Sequence, residues 1–254
     1  MSQRAARAIA ALTPEPLLGA VIRRAYPRIE PELADLGRLV PPGGTALDVG
    51  GWFGPWTQRL LRHADRVVTI EADPGLAALL QRTFGDARVI SAAASDHTAG
   101  ATLWRPPGGA LAGISSVEHR PEGEAAATPV PTVRIDDLGL DDLRFVKMDI
   151  EGHELAALRG AELTIRRDLP VLLLELEARH GTVGPVLDLL DGWGYEGSVA
   201  GKPLAEFDLA AHQAARAYQL GRSFPARVLR PGDRYVNSVV FRHPRRCYLW
   251  VLCG

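Results

Sequence analysis

Short apolar runs that alternate with helical patterns constrain the fold of this chain more than any other feature. The sequence predicts strands at 45–50, 66–72 and 87–94, each of the first two followed by a helix. Further strands are predicted at 103–104, 144–150, 170–176 and 235–241, and further helices at 151–167 and 183–193. Because strands that alternate with helices pack as βαβ units, the pattern predicts an α/β fold with a parallel sheet.

The rest of the chain is predicted to join this sheet in a single domain, 1–254. A helical N-terminal extension is predicted over 1–42, the core over 45–243 and an apolar tail over 244–254, with loops at 106–109 and 121–131. The extension begins with arginines spaced among apolar residues, as in an amphipathic helix. The extension and the tail are each candidates for a subunit contact, so we expect a homodimer.

Charge and cysteine content narrow the class of protein. The chain of 254 residues carries 29 basic and 30 acidic residues, a net charge of -1, so nothing draws it as a whole to nucleic acid or to an anionic membrane. No apolar run reaches the length of a membrane span, and no secretory signal is expected. Cys247 and Cys253 have no metal-ligand spacing and frame no disulfide-rich fold, which favours a cytoplasmic protein.

A glycine-rich turn follows the first predicted strand. Gly50, Gly51 and Gly54 lie between that strand and the next helix, where glycine lets the backbone turn tightly and approach a nucleotide-like ligand. The G-x-G-x-x-G fingerprint of dinucleotide sites is absent, because Trp52 stands where its second glycine belongs. The turn therefore favours a ligand without a pyrophosphate, and a tight turn without any ligand is the alternative.

Acidic and small polar residues follow the predicted strands, at the edge where parallel sheets bind their ligands. Glu71 ends the second strand, about 20 residues beyond the glycine turn, where a carboxylate can accept hydrogen bonds from both hydroxyls of a ribose. This position suits NAD and S-adenosylmethionine alike. The other strand ends carry Ser95, Asp96, Asp149, Glu151, His153, Glu175 and Glu177.

Five short stretches follow one another along the chain in an order that is typical of one protein family. They are 48–57, 70–74, 134–138, 146–154 and 158–161. Together they resemble the successive motifs of FkbM-type S-adenosylmethionine-dependent methyltransferases over residues 45 to about 180, and 237–241 is similar to the closing strand of that family. The run Lys-x-Asp-x-Glu-Gly-x-Glu within 147–154 is the most specific element. Gly51 and Trp52 depart from the pattern, since the family commonly has Ala-Asn there.

The resemblance implies a fold and a reaction. The fold is a Rossmann-like class I methyltransferase sheet, mostly parallel with the last strand antiparallel, with helices on both faces. The reaction is transfer of a methyl group to a hydroxyl oxygen, often on a sugar or on a polyketide-type natural product.

The resemblance also implies, position by position, which residues contact the cofactor. Glu71 would hold the ribose, and Asp149 would lie beside the methionine amine or the acceptor. The methionine side would be lined by Asp48, Gly50 and Gly54, and the adenine would be faced by Ser95 and Asp96.

Two sets of side chains are candidates for activating the acceptor hydroxyl. His153 can take the hydroxyl proton, since histidine titrates near neutrality, with Asp149 and Glu151 beside it; a surface histidine early in a helix is the alternative. Asp149 and Glu175 would end neighbouring strands in the family's order, and their oxygens suit Mg²⁺, which lowers the pKa of a bound hydroxyl. Without a metal, these carboxylates would hold the cofactor amine.

The sequence therefore predicts a cytoplasmic, S-adenosylmethionine-dependent O-methyltransferase. Its acceptor is expected to be a small molecule or oligosaccharide, with a sugar hydroxyl of a saccharide or glycolipid precursor preferred. No nucleic-acid partner and no membrane span are expected. A polyketide-type acceptor, a non-catalytic cofactor-binding scaffold and an NAD-dependent oxidoreductase are the alternatives left open.

Overall fold

The computed structural model describes residues 14–106, 115–120, 124–219 and 235–246. The strands are β1 (Thr45–Val49), β2 (Arg66–Glu71), β3 (Ala87–Ser91), β4 (Ala93–Ala94), β5 (Ala101–Arg105), β6 (Ala126–Val130), β7 (Thr132–Val133), β8 (Leu143–Met148), β9 (Val171–Glu175), β10 (Glu196–Val199), β11 (Lys202–Pro203) and β12 (Ser238–Arg242). The α-helices are α1 (Glu15–Ala25), α2 (Leu36–Leu39), α3 (Pro55–Leu60), α4 (Pro74–Thr83), α5 (Glu154–Arg159), α6 (Glu162–Asp168), α7 (Val183–Gly192) and α8 (Leu209–Arg216). Short 3-10 turns lie at Tyr26–Arg28, Pro31–Ala34, Ile135–Leu138, Ala178–His180, Leu204–Glu206 and Ala217–Gln219.

Eight of these strands form one sheet in the order β11-β10-β12-β9-β8-β1-β2-β3. Strands β9, β8, β1, β2 and β3 pair in parallel, whereas β12 is antiparallel to both β9 and β10. This confirms the prediction of a mostly parallel, Rossmann-like class I methyltransferase sheet whose late strand is antiparallel. The sequence pattern does not predict β10 or the edge strand β11, because both are short and contain few apolar residues.

The central strands are buried along most of their length because helices cover both faces of the sheet. All five residues of β1 are buried. Leu47 and Val49 belong to one apolar core with Val146, whereas Ala46 belongs to a second core with Phe145 on the opposite face. Successive residues of a strand point to opposite faces, so a strand covered on both sides reads as a continuous apolar run.

The N-terminal extension contributes to these cores. Leu33, Leu36 and Val40 pack in the second core together with Trp56 of α3. Ile22 of α1 packs in a smaller cluster with residues around the glycine turn and α4. The extension thus lies against the part of the sheet that carries the turn. None of the described helices is long and apolar enough to cross a membrane.

The loop predicted over 121–131 is wrong in its second half. Residues 126–130 form β6, which pairs antiparallel with β5 in a separate two-stranded sheet. The proline and alanine content suggested a loop, but a two-stranded sheet has only edge strands, and an edge strand tolerates Pro129. The register of β6 is set by its pairing with β5, and the composition of 121–131 alone does not reveal that pairing.

The single helix predicted up to residue 167 is also wrong, because the structure divides it into α5 and α6. The division falls at Gly160, where the chain passes directly over the end of β4. A Cβ atom at Gly160 would lie 1.9 Å from the backbone oxygen of Ser95. The helix ends there because its backbone contacts the Ser95 peptide, and this contact holds the 95–96 segment in place.

We predict that Gly160→Ala destabilises the protein by roughly 2–4 kcal/mol, because the added methyl group forces two backbone segments apart. Urea unfolding followed by circular dichroism measures the change. Gly37→Ala is the matched control, since a Cβ at Gly37 meets no atom within 4 Å, and we expect it to be neutral or slightly stabilising. Equal effects of the two substitutions would contradict the close contact at Gly160.

Candidate active site

The glycine turn brings β1 and β8 into direct backbone contact. Gly50 has a φ of 85°, and a Cβ atom there would lie 2.0 Å from the backbone oxygen of Asp149. Gly54, with a φ of 78°, begins α3, and its amide bonds the backbone oxygen of Gly51 at 2.7 Å. The turn therefore leaves little room between the ends of the two strands, and Asp149 lies immediately beside it.

Trp52, the residue that departs from the family pattern, links the turn to the N-terminal extension. Its backbone has a φ of 48°, and its amide donates a hydrogen bond to Glu71 Oε2 at 2.7 Å. Its indole packs against Tyr26, with ring centroids 5.5 Å apart, and against Phe53 at 5.2 Å. The side chain thus supports the turn from the side of the extension, which the sequence reasoning did not explain.

Glu71 is buried and fixed by two backbone amides. Its Oε2 accepts from Trp52 and its Oε1 from Asp73, each at 2.7 Å. Burial raises the pKa of Glu71 to about 7, although these two hydrogen bonds act to lower it. Each oxygen keeps a further lone pair, so the carboxylate can still accept from two neighbouring hydroxyls.

Asp48 lies within β1 and is fully buried. Its Oδ2 accepts a hydrogen bond of 2.6 Å from Thr57, whereas its Oδ1 has no hydrogen-bond partner in the part of the chain that the structure describes. Burial raises the pKa of Asp48, and the charge of Lys147 opposes that rise. A buried acceptor without a donor is costly, and a cationic ligand group at this position would satisfy it.

Ser95 and Asp96 follow β4 on the other side of the site. Ser95 is fully buried, and its hydroxyl lies 3.4 Å from Asp96 Oδ1. The backbone oxygen of Asp96 accepts from Arg134 at 2.9 Å. With the contact of Gly160 on Ser95, these bonds hold the segment that the resemblance assigns to the adenine.

The centre of the site is a buried lysine surrounded by carboxylates. Lys147 is 3% exposed, and its ammonium lies 3.3 Å from Asp149 Oδ2. Burial acts to lower the pKa of Lys147, but the charges of Asp149, Glu175 and Asp48 outweigh it and hold the pKa above its usual value. The lysine is therefore a permanent cation among several acids.

Glu175 ends β9 next to β8, as the strand order predicted. Its Oε2 accepts from Asn237 at 2.6 Å, and a hydrogen bond joins its carboxyl group to that of Glu30. Burial raises the pKa of Glu175 well above its usual value, and the charges of Asp149 and Glu30 add to the rise.

Glu30 brings the N-terminal extension into the site. Its Oε2 accepts from the indole of Trp56 at 2.7 Å, and it also bonds Tyr26. Sequence reasoning missed Glu30 and Tyr26, since both lie outside the motifs. A signal was available in Trp56: a buried indole N–H needs an acceptor, and no acidic residue near it in sequence supplies one.

The magnesium site predicted at Asp149 and Glu175 finds no support. Asp149 pairs with Lys147, and Glu175 pairs with Asn237 and Glu30. Among residues 14–106, 115–120, 124–219 and 235–246, no group of three or more His, Cys, Asp or Glu side chains is arranged to hold a metal ion. The two carboxylates instead have partners within the chain, an ammonium for Asp149 and an amide for Glu175.

The turn after β8 explains the rest of the Lys-x-Asp-x-Glu-Gly-x-Glu run. Glu154 is buried and accepts from the amides of Ile150 and Gly152 at 3.3 and 3.2 Å. Burial raises the pKa of Glu154 to about 7. Glu151 and Gly152 have positive φ angles of 51° and 97°, so the carboxylate of Glu154 closes a strained turn.

Glu151 points away from Lys147 and into a second polar group. Its Oε2 lies 2.8 Å from Arg179 Nη2 and 3.3 Å from His180 Nε2. Arg179 also pairs with Glu177, which contacts Tyr235 and Asn237. Hydrogen-bonding side chains therefore line the carboxyl ends of β8 and β9 beside Lys147. We call this group the polar wall; it consists of Glu151, Glu177, Arg179, His180, Tyr235 and Asn237.

His153 is held through both of its ring nitrogens. Nδ1 lies 2.7 Å from Glu118 Oε2, and Nε2 lies 3.1 Å from the hydroxyl of Ser95. If Glu118 accepts the proton of Nδ1, then Nε2 is the proton-accepting nitrogen and lies within hydrogen-bond distance of the Ser95 hydroxyl. Sequence reasoning did not foresee Glu118, which comes from a separate segment.

That segment, 115–120, is fastened to the turn after β8. Ser116 donates a hydrogen bond of 2.8 Å to the backbone oxygen of Glu151. The ring of His119 packs on His180 with centroids 4.8 Å apart. With the bond between Glu118 and His153, these contacts bring 115–120 over the side of the site that holds the polar wall.

The strand order, the glycine turn beside β8 and the buried acid after β2 define the class of protein: a class I methyltransferase fold with its site at the carboxyl ends of the strands. The chain belongs to the FkbM methyltransferase family. The family model described as methyltransferase FkbM domain matches residues 48–196, more than half of the chain.

Relatives of this chain are methyltransferases of several kinds. An FkbM methyltransferase structure from Methylobacillus flagellatus is 22% identical, with a TM-score of 0.48, over 78% of this chain and 43% of that one. A TehB-like methyltransferase structure from Corynebacterium glutamicum is 16% identical, with a TM-score of 0.40, over 68% and 82%. A curated Natronomonas pharaonis protein, named "probable ribosomal RNA small subunit methyltransferase A", is 38% identical over 88 residues, 35% of this chain and 31% of that protein. The first and last of these matches thus span less than half of the relative.

We predict that Lys147→Met destabilises the protein by about 3–5 kcal/mol at pH 8, since removing one partner leaves buried charges uncompensated. The loss should shrink at pH 5.5, because without the lysine the carboxyl groups take up protons as the pH falls. Urea unfolding at both pH values measures the difference. Lys202→Met is the matched control, as the chain has two lysines and Lys202 is exposed. Equal losses for Lys147→Met at both pH values would contradict the charge cluster.

Proposed function

We propose that this protein is an S-adenosylmethionine-dependent O-methyltransferase that methylates a hydroxyl of a saccharide or glycolipid precursor. The observation that carries the proposal is the excess of acidic groups around the buried ammonium of Lys147. Asp48, Asp149 and Glu30 surround one cation, Lys147, and Asp48 Oδ1 lacks a partner among the described residues. Such a site favours a ligand that brings positive charge.

The sign of that charge distinguishes the two cofactors left open by the sequence. S-adenosylmethionine carries an ammonium and a sulfonium, and both are attracted by the acids around Lys147. NAD carries an anionic pyrophosphate, which these acids would repel. The glycine that usually lets the backbone approach a pyrophosphate is replaced here by Trp52. The residues present therefore fit S-adenosylmethionine better than NAD.

Each part of the cofactor can be assigned to residues in or near the ends of the strands. We assign the ribose hydroxyls to Glu71, and the methionine ammonium to Asp48 and Asp149. The turn at Gly50 and Gly54 lets the backbone approach the cofactor, and the adenine is assigned to Ser95 and Asp96. When bound, S-adenosylmethionine supplies an electrophilic methyl carbon on its sulfonium.

The chain's own part in the reaction is to align the acceptor and to receive its proton. Glu118 keeps the proton on Nδ1 of His153, so that Nε2 takes the proton from the acceptor hydroxyl, and the Glu118 carboxylate then faces the imidazolium. The acceptor hydroxyl must displace Ser95 from Nε2 or share it. Asp149 orients the reacting partners at the end of β8. Glu151 acts as a positioning residue through Arg179 and His180.

The polar wall favours a polyhydroxylated acceptor. Carboxylates, an amide and a guanidinium can bind adjacent hydroxyls in pairs, whereas an apolar polyketide would leave them unpaired. An RNA acceptor is disfavoured for two reasons. The similarity to the protein named for a ribosomal RNA methyltransferase covers only 35% of this chain, and the acids at the strand ends would repel a phosphate backbone. A cytoplasmic location and a homodimer stay predictions, since the structure holds a single chain, and residues 1–13 of the extension and 247–254 of the tail lie outside the described residues.

We predict that S-adenosylhomocysteine binds about tenfold more tightly at pH 8 than at pH 6. Glu71, with a pKa of about 7, must be ionised to accept from both ribose hydroxyls, so affinity rises as the pH rises through that value. Isothermal titration calorimetry at several pH values measures the constant. Glu71→Gln should bind weakly and without this pH step, which separates Glu71 from the other acids. An unchanged constant in the unaltered protein would contradict the assignment.

We predict that a screen with methyl-labelled S-adenosylmethionine detects transfer to mono- or oligosaccharides. His153→Ala should lower turnover by about 100- to 10,000-fold, the range typical for a general base. Its affinity for S-adenosylhomocysteine should stay within about twofold, since the proton acceptor acts on the hydroxyl. Glu118→Gln should lower turnover less and shift its pH profile.

The controls decide between the remaining functions. His63→Ala, which changes an exposed histidine, should leave turnover unchanged. Transfer confined to polyketide-type acceptors or to RNA would contradict the saccharide proposal. Tight binding of S-adenosylhomocysteine with no transfer to any acceptor would favour a scaffold, and binding of NAD alone would favour an oxidoreductase.

A further inference from the structure

A concave pocket lined by arginines lies outside the active site. It has a volume of about 580 Å³ and is bounded by α1, the Tyr26–Arg28 turn and the outer side of α3. We call it the arginine pocket. Its lining includes Arg23, Arg24, Arg28, Arg59 and Arg62, and no acidic residue.

The positive charge of the arginine pocket is not compensated nearby. In the described part of the chain, the five guanidinium groups form no ion pair with a carboxylate. Arginine stays protonated at any physiological pH, so the groups repel one another at all times. Elsewhere on the surface, arginines such as Arg144 and Arg166 are paired with acids.

Two of the arginines are partly withdrawn from water. Arg23 donates to the backbone oxygen of Phe53 at 3.0 Å and lies 5.5 Å from the ring of Phe84, and burial lowers its pKa. Arg59 Nε is buried and finds no hydrogen-bond partner within the residues described. Partial burial weakens the hydration of these two guanidinium groups, so an anion in the pocket would compete with less bound water at Arg23 and Arg59 than at exposed arginines.

We infer that the arginine pocket binds the phosphate or diphosphate group of a small molecule. A guanidinium presents a planar fork of donors that matches two phosphate oxygens, and several forks around one cavity can hold a diphosphate. A volume of about 580 Å³ also lies within the range of small-molecule sites, so there is room for an organic group beside the anion. The site is separate from the cofactor and acceptor positions proposed above.

The position of the arginine pocket connects it to the active site. Arg28 lines the pocket, whereas Tyr26 in the same 3-10 turn packs on Trp52 and bonds Glu30. A ligand held by Arg28 therefore contacts the segment that supports the cofactor turn.

Two sources of the phosphate group are compatible with the surroundings. A soluble diphosphate would enter the pocket alone. A lipid headgroup would also bring acyl chains, and Leu17 and Val21 are exposed on α1 at 58% and 53%. A nucleic acid is disfavoured, because the chain has a net charge of -1 and the arginines form a pocket and not an extended stripe.

The test is titration calorimetry of the full chain with pyrophosphate, at low and at raised salt. We expect saturable binding that weakens with salt, because the contacts between the guanidinium groups and the anion are electrostatic. The triple variant Arg24→Ala, Arg28→Ala, Arg62→Ala should bind at least about tenfold more weakly, since it loses charge-assisted hydrogen bonds. These three side chains are exposed, so the variant should fold, and unchanged S-adenosylhomocysteine binding or circular dichroism verifies that.

The matched control changes the same number of exposed arginines elsewhere, Arg38→Ala, Arg82→Ala and Arg166→Ala, and should bind pyrophosphate as the unaltered protein does. Arg59→Gln should also weaken binding. Flotation with phosphatidic acid vesicles, against phosphatidylcholine vesicles, identifies a lipid headgroup if the former bind the chain and pyrophosphate competes. No pyrophosphate binding, equal loss in both triple variants, or binding of a short single-stranded RNA without binding of pyrophosphate overturns the inference. Each of these outcomes is independent of whether methyl transfer occurs.

Discussion

The ion cluster around Lys147 holds together the strand ends on which the site is built. The lysine projects from β8 and compensates acids from β1, from β9 and from the N-terminal extension. Without it, several carboxylates would lie buried and close together, and each would have to take up a proton or leave the site. The geometry of the cofactor turn and of Asp149 therefore depends on one side chain that need not touch a ligand itself.

The sequence predicts those parts of the structure that depend on contiguous residues. The glycine turn, Glu71 at the end of β2 and the run from Lys147 to Glu154 each lie within one short stretch. The pairing of β8 with β9 was also predictable, because the family order places the two strands side by side. Local pattern and strand order together are sufficient for the parallel strands of the sheet.

The sequence does not predict contacts between segments that are distant along the chain. Glu118 reaches His153 across 35 residues, and Asn237 reaches Glu175 across 62. The magnesium prediction finds no support among the described residues for this reason: the two carboxylates were correctly placed on neighbouring strands, but the partner of Glu175, Asn237, comes from a distant segment. Strand β6 was missed in the same way, since its pairing with β5 outweighs its own composition.

The position of Glu30 early in the chain affects the order in which contacts of the site form during synthesis. Its partners Trp56, Lys147 and Glu175 follow it by 26, 117 and 145 residues, so the acid leaves the ribosome long before its site can close. The contacts of Glu30 with Lys147 and Glu175 can form only after β8 and β9 have emerged, because the intervening chain must close before distant residues meet. Residues 26–40 are therefore made early, whereas the polar contacts of Glu30 are completed only when most of the sheet exists.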